Sequence, residues 1–183
     1  MIQKAYEEGH LSDALTLMTS LEKADTKSLD DLSTVILYLQ ILFECEGPLS
    51  KINSLVASTL IKNPNEPRLL EFLDLSKAKT LLNSHALESG LQALGSVIQR
   101  SPSNYLALFI LGTTLHWEKK DDINAIKYLE KCVAIRPQLL RAWACLGVAY
   151  KGIDNHSLAT RAFQKCIALE TNPQMKAYFQ SQI

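Results

Sequence analysis

The sequence predicts an all-α protein in which pairs of antiparallel helices stack into a solenoid, and three observations carry that expectation. Side chains return at a fixed offset in the second half of the chain. Gly112 recurs as Gly147, 35 residues on, while Ala125, Leu129 and Cys132 recur as Ala159, Phe163 and Cys166, each 34 on. A shared offset at several positions is what stacked supersecondary units leave in a sequence. The apolar residues keep helical spacing: Trp143, Leu146, Gly147 and Tyr150 lie on one side of the segment from Leu140 to Lys151. Leu158, Ala159, Ala162, Phe163, Cys166 and Ile167 form the stripe of a second helix from Ser157 to Leu169. Finally, Pro64, Pro102 and Pro137 each follow a segment of helix length, at intervals of 38 and 35 residues, and proline ends the helix before it. No strand signal survives. The run from Val35 to Phe43 has the composition of a buried strand, but its length and its place in the period argue for helix.

In chain order, residues 1–27 read as a half repeat: the end of a first helix, a turn through Gly9, and a partner helix over 11–23. Ser28-Leu29-Asp30-Asp31 offers a capping-box variant ahead of the next pair. That pair, in repeat 28–65, is Ser33 to Cys45 and Leu49 to Lys62, joined by Glu46-Gly47-Pro48. A degenerate repeat, 66–103, holds Arg68 to Leu82 and His85 to Arg100, with Gly90 at the small position. Repeats 104–138 and 139–172 follow. The extra residue between Gly112 and Ala125 falls in a span that includes the charged turn Glu118 to Asp122, where an insertion is cheap. In the last repeat Gly152-Ile153-Asp154-Asn155 is a turn with a candidate N-cap. Gly147 and Ala159 lack bulk where the two helices of one repeat must approach closely, and Tyr150 and Phe163 fill the wedge toward the next. Asn172-Pro173 begin a capping segment, 173–183, whose helix runs from Gln174 to Gln182. Its Met175, Tyr178 and Phe179 are expected to cover the last repeat while Gln174, Lys176, Gln180 and Gln182 face water. The expectation is one domain over 1–183, an α-solenoid of about 4–5 repeats plus a C-terminal capping helix.

Composition narrows the function. Lys+Arg and Asp+Glu are balanced at 19 each, so no global field draws in nucleic acid or an anionic membrane. Cys45, Cys132, Cys145 and Cys166 form no C-x-x-C pair and no zinc-like spacing, which predicts free, reduced thiols and a cytoplasmic location, with the nucleus as the alternative. The N-terminal residues lack the apolar core of a signal peptide. The most apolar stretch, Tyr105 to Trp117, is too short to span a bilayer, so no membrane insertion is expected.

Residues 140–173 resemble a tetratricopeptide repeat, whose pattern is Trp-x-x-Leu-Gly-x-x-Tyr, then Ala, Phe and Ala, and a closing Pro. The matching residues are Trp143, Leu146, Gly147, Tyr150, Ala159 and Phe163, with Cys166 in the last small position. The closing proline is displaced to Pro173, and Thr171 stands where it is expected. Residues 105–137 match through Leu108, Leu111, Gly112, Leu115, Ala125, Leu129, Cys132 and Pro137. Residues 33–64 keep Ile36, Leu39, Phe43, Val56 and Pro64, but carry Gln40 and Ile52 where small residues are expected. Residues 70–102 keep Gly90, Leu94, Val97 and Pro102. The resemblance implies a right-handed superhelix with a concave groove lined by the first helix of each pair. It also implies a non-catalytic scaffold or adaptor that needs no cofactor and binds a peptide or helix of a partner protein, such as another subunit of a complex.

Carried over position by position, the groove would hold Thr34, Leu37, Tyr38 and Ile41, then Leu106, Phe109, Ile110, Thr113 and His116, and last Arg141, Ala144, Cys145, Val148 and Lys151. The middle set is almost wholly apolar, so helix 105–117 is apolar on both sides and should be covered all round. The cover is either the chain's own packing or a partner segment laid into the groove. The clamp for a peptide's C-terminal carboxylates found in chaperone-binding members is not expected, because its Lys and Asn positions carry Phe109, Thr113 and Cys145, and Arg141 has no companion Arg one turn later.

Other constellations are weaker. His10, His85, His116 and His156 are scattered, with no pair at i, i+4, so no metal site is expected. Cys145 would be a reactive thiol only if Arg141, four residues back, lowered its pKa. Asp30-Asp31 and Asp121-Asp122 diverge on a helix and suit N-termini better than acid–base chemistry. Nothing assembles a nucleophile, a base and oxyanion donors, so an enzyme is not expected. Two alternatives to the adaptor remain at this stage: a helical-repeat RNA-binding protein, for which this groove lacks basic residues, and a homo-oligomeric subunit that dimerises through the apolar edge of the N-terminal half repeat.

Overall fold

Each helical hairpin in this chain reverses on a residue with a left-handed backbone. The computed structural model describes residues 1–24, 29 and 31–183. Among the described residues there are eleven α-helices and no strand. They are α1 (Ile2–Glu7), α2 (Leu11–Ala24), α3 (Leu32–Glu44), α4 (Leu49–Lys62), α5 (Pro67–Asn83), α6 (Leu87–Arg100), α7 (Tyr105–Trp117), α8 (Asp122–Ile135), α9 (Leu140–Gly152), α10 (His156–Leu169) and α11 (Pro173–Gln180). The reversal residues are Gly9, Glu46, His85, Lys120 and Asp154, with φ between 52° and 85°. The first is the glycine such a turn favours; the other four accept the steric cost of a Cβ there. At each turn the next N–H reaches far back into the preceding helix and satisfies one of its orphan carbonyls. His10 N–H donates to the Ala5 carbonyl (2.9 Å), Gly47 N–H to Leu42 (2.7 Å), Ala86 N–H to Leu81 (2.9 Å) and Asn155 N–H to Tyr150 (2.9 Å), each five residues back. In the α7–α8 turn Asp121 N–H donates to Leu115 (3.0 Å), six residues back. The extra residue detected in the sequence is absorbed there, at the C-terminal end of α7, and Ala125 and Ala159 keep equal distances from their reversal residues.

Side-chain caps start the helices. Asp31 accepts from Thr34 N–H (2.9 Å), Asn104 from Ala107 N–H (3.0 Å), Asp121 from Asn124 N–H (3.2 Å) and Asn155 from Leu158 N–H (3.2 Å). Of the capping box expected over Ser28-Leu29-Asp30-Asp31, Ser28 and Asp30 lie outside the described residues, and Asp31 is itself the N-cap of α3.

The chain divides into two compact units, Met1–Ala93 and Leu94–Ile183, and the boundary falls inside α6. In the first unit α2, α3, α4 and α5 contribute Met18, Leu39, Ile41, Ile52, Leu69 and Leu75 to a core from which solvent is excluded. Phe43 of α3 stacks on Phe72 of α5 with centroids 5.6 Å apart. A buried hydrogen bond, Tyr6 Oη to Glu44 Oε1 (2.6 Å), joins α1 to α3. In the second unit the hairpins α7–α8 and α9–α10 pack side by side, with α8 against α9, and α11 lies on α10. The repeat persists at the atomic level: Cys132 Sγ donates to the Tyr105 carbonyl (3.4 Å) and Cys166 Sγ to the Leu140 carbonyl (3.8 Å).

Close approach within hairpins needs the small residues. A Cβ on Gly112 would sit 2.7 Å from Leu129 Cγ, and one on Gly147 would sit 2.8 Å from the Cε1 and Cζ atoms of the buried Phe163 ring. Gly95, in the middle of α6, has nothing within 4 Å of such a Cβ.

One expectation needs correcting. Of the residues meant to cover the last repeat, only Phe179 is buried, stacked on Phe163 at 6.4 Å; Met175 and Tyr178 are 42% and 52% exposed. The short α11 engages the repeat through its C-terminal end, where Gln182 Oε1 also accepts from Lys151 Nζ (3.3 Å), and Met175, one turn earlier, remains in solvent.

Two sets of substitutions test this account. Gly147→Ala should cost about 1–3 kcal/mol by overpacking Phe163, whereas Gly95→Ala should gain about 0.5–1 kcal/mol through helix propensity. Urea denaturation of the two variants beside the parent reads both signs. Lys120→Gly and His85→Gly should each stabilise by about 0.5–1 kcal/mol by relieving the left-handed strain, and Lys120→Ala should not.

Candidate partner-binding surface

The fourteen groove positions fall into three environments. Tyr38, Ile41, Leu106, Phe109, Ile110 and His116 are buried. Thr34, Leu37, Thr113, Arg141, Ala144, Cys145 and Val148 are half-buried, and Lys151 is exposed.

In the first unit Tyr38 is drawn inward by chemistry that the sequence did not reveal. Its hydroxyl donates to Glu22 Oε2 (2.8 Å), and Lys51 Nζ bonds the other oxygen of the same carboxylate, tying α2, α3 and α4 together. Burial, reinforced by the Glu22 carboxylate, pushes the Tyr38 phenol up to about 12. Burial alone would raise Glu22, but the hydrogen bonds from Lys51 and Tyr38 and the Lys51 charge hold it below the ordinary carboxylate value. Thr34 and Leu37 instead line a cavity of about 340 Å³ together with Ile2 of α1 and Met18 and Leu21 of α2.

In the second unit Leu106 to Gly112 form an unbroken buried run. The Arg141 guanidinium of α9 lies across the Phe109 ring, 5.4 Å from its centroid, a cation–π contact that closes part of the apolar stripe from within the same unit. Thr113 turns its hydroxyl back to the Phe109 and Ile110 carbonyls (2.9 and 3.0 Å). His116 is held at the hairpin turn: its Nδ1 faces Asp122 Oδ1, and its ring meets Trp117 edge-on at 4.3 Å. Nε2 is buried with no hydrogen-bond partner among the described residues, which favours the tautomer that keeps the proton on Nδ1. A Cβ on Gly152 would meet the Asp122 carboxylate, so the end of α9 lies close against the start of α8. What remains accessible is a stripe along α9, with Ala144, Cys145 and Val148 between Arg141 and Lys151, and Thr113 beside it on α7.

Sequence reasoning missed the opposite side of α9. Trp143, Leu146 and Tyr150 floor a second depression there, between α8 and α10, with Arg161 and Lys165 on its rim. The available signal was a pair of cations at i, i+4 beside Leu158 and Ala162. The thiols differ in access: Cys132 and Cys166 are buried, Cys45 and Cys145 partly open. Burial, with the neighbouring Cys145 adding to it, pushes the Cys166 thiol up to about 12. Among the described residues no group of three or more His, Cys, Asp or Glu could hold a metal ion, and no helix is long and apolar enough to cross a membrane.

Comparison with known proteins agrees with the helix-pair geometry. The tetratricopeptide repeat family profile matches residues 105–139. Among solved structures, the N-terminal domain of stress-induced protein-1 from C. elegans superposes with a TM-score of 0.55 at 15% identity, covering 62% of this chain and 94% of that one. A double mutant of MamA RS-1 superposes with a TM-score of 0.51 at 18% identity over 92% of this chain and 89% of its own; RS-1 is Desulfovibrio magneticus. Another MamA mutant reaches 0.51 at 18% identity, covering 77% and 96% of the two chains. At these identities the likeness speaks to fold alone. A search of curated proteins gives no significant match. The match marks residues 105–139 as a tetratricopeptide repeat, a module whose general work is protein–protein interaction, and the solved structures extend the helical-repeat fold to the rest of the chain.

The electrostatics give a pH prediction. The Ser33 and Thr34 hydroxyls and the Thr34 N–H lower Asp31 from 3.8 to about 2. A carboxylate lowered on folding contributes its full stabilisation above its ordinary value and loses it as pH falls through the lowered one. Melting temperature should therefore fall between about pH 4 and pH 2, and the fall should be shallower in Asp31→Asn, which keeps an N-cap oxygen without a charge. Thermal melts followed by circular dichroism at stepped pH provide the check.

Proposed function

We propose that this protein is a non-catalytic scaffold or adaptor that holds a peptide or helix of a partner protein, as part of a larger complex, on the groove-facing side of its first-position helices. The observation that carries this reading is the accessible stripe on α9. Ala144, Cys145 and Val148 present apolar surface that is only half-buried, between the cations Arg141 and Lys151. Thr113, alongside on α7, has satisfied its hydroxyl internally and adds a methyl group to the same surface. An amphipathic helix or extended segment laid along this stripe would cover apolar atoms while its acidic positions meet the flanking charges. The contact is narrower than the sequence suggested, because Leu106, Phe109 and Ile110 are already buried. In the first unit Thr34 and Leu37, over the cavity beside α1, offer the corresponding positions. An RNA strand is a poorer fit: the fourteen positions supply two permanent cations, Arg141 and Lys151, where a nucleic-acid groove needs a basic track and open aromatic faces on which bases stack.

The reading is tested by affinity capture of the partner on the full chain, followed by mass spectrometry and rebinding of the purified partner. Val148→Glu is expected to weaken rebinding at least tenfold with the circular dichroism spectrum unchanged. Bound partner is expected to slow alkylation of Cys145 while leaving Cys45 as reactive as before. Rebinding that is indifferent to Val148→Glu, with Cys145 labelled at the same rate, would remove α9 from the interface.

A further inference from the structure

On α9 the residues Arg141, Ala144, Cys145, Val148 and Lys151 cover one side of the helix, and Trp143, Leu146 and Tyr150 cover the other, since 3.6-residue spacing puts the two sets about 160° apart. The second set floors an open groove of about 440 Å³, walled by α8 and α10. That volume lies within the range of sites that take ligands, and the lining is mostly apolar.

The polar groups of the floor are already committed. Trp143 Nε1–H donates to the Pro137 carbonyl (2.8 Å), which pins the indole edge and leaves its face to the groove. The Tyr150 hydroxyl donates to Glu130 Oε1, so the carboxylate of the α8 wall is bound from inside. The α10 wall differs. Arg161 and Lys165 stand one turn apart on the rim, both exposed, and among the described residues neither is drawn into an ion pair. The lining therefore carries two cations against one carboxylate, one oxygen of which is held by Tyr150, while the cations are open. A guanidinium and an ammonium at i, i+4 can share one carboxylate or grip two.

We propose that this groove between α8 and α10, floored by Trp143, Leu146 and Tyr150 and rimmed by Arg161 and Lys165, is a second docking site, for a short partner segment that sets an apolar side chain beside a carboxylate. The apolar residue enters between the helices against the Trp143 face, and the acidic residue lies on the rim. Charge complementarity selects an acidic segment over a basic one, because a lysine there would face two cations. The apolar floor argues against nucleic acid, whose affinity comes from many phosphate contacts, and two cations supply few. The site is separate from the stripe of Ala144 and Val148, so the chain could hold two partner segments on opposite sides of one helix.

The test pans a random decapeptide phage library on the full chain, then measures synthetic consensus peptides by fluorescence anisotropy. The expected consensus places Asp or Glu within two residues of Leu, Phe or Trp. Arg161→Glu/Lys165→Glu should weaken that peptide at least tenfold, and exchanging its acidic residues for lysines should restore binding to the double variant. Val148→Glu should leave the peptide's affinity unchanged, which separates this site from the adaptor surface. Both substituted positions are exposed, and a melting temperature within a few degrees of the parent confirms that the double variant folds. The proposal is overturned if no sequence is enriched, if the consensus lacks acidic residues, or if the double variant binds as well as the parent. It is overturned equally if a ten-nucleotide oligo-uridine displaces the peptide at equal concentration, which would assign the two cations to phosphate.

Discussion

The close approach of two antiparallel helices, made where one of them lacks a side chain, is the constraint on which the second unit is built. Gly112 lies under Leu129 and Gly147 under Phe163. Any larger residue would push the hairpin open, and with it the register that sets Cys132 and Cys166 against the carbonyls of Tyr105 and Leu140. Once the hairpin closes, its remaining face is fixed, and α8 can pack on α9 as a preformed unit. The first unit uses the same device once, with Gly90 of α6 under Leu82 of α5. Its α3 has no glycine at the corresponding site and is held by polar ties: Tyr6 to Glu44, and the Glu22 carboxylate shared by Tyr38 and Lys51. Such ties fix geometry by direction where the glycine contacts fix it by volume.

The distinction explains what could be read from the sequence. Volume leaves a trace at fixed spacing, so the offset of Gly112, Ala125, Leu129 and Cys132 against their counterparts was visible, and the helices of the second unit fall where the periodicity put them. Polar ties leave none, because Tyr6 and Glu44 are 38 residues apart with nothing in either neighbourhood to mark them as partners. The reversal residues were hidden for a related reason. Gly9 announces a left-handed turn, but Glu46, His85, Lys120 and Asp154 adopt the same conformation without the residue type that signals it.

The candidate surface was legible in outline and not in depth. Helical spacing puts Arg141, Ala144, Cys145, Val148 and Lys151 on one side of α9. It could not tell which first-position helix would remain open, because burial depends on neighbours. The apolar character of Leu106, Phe109 and Ile110 reads equally as an exposed groove or as a core, and in the structure these residues are core, with Arg141 over the Phe109 ring. His116, assigned to the groove by position, is taken by Asp122 at the turn.

The α7–α8 turn spans six residues where its counterparts span five, and that single difference says where the chain can change length. A residue added inside a helix would rotate everything after it by about 100° and carry its apolar face off the core. Added at the hairpin bend, it enlarges a hydrogen-bonded ring and leaves both helices in phase. The bends therefore act as expansion joints, and they are the places where longer segments could be inserted without disturbing the helices they connect.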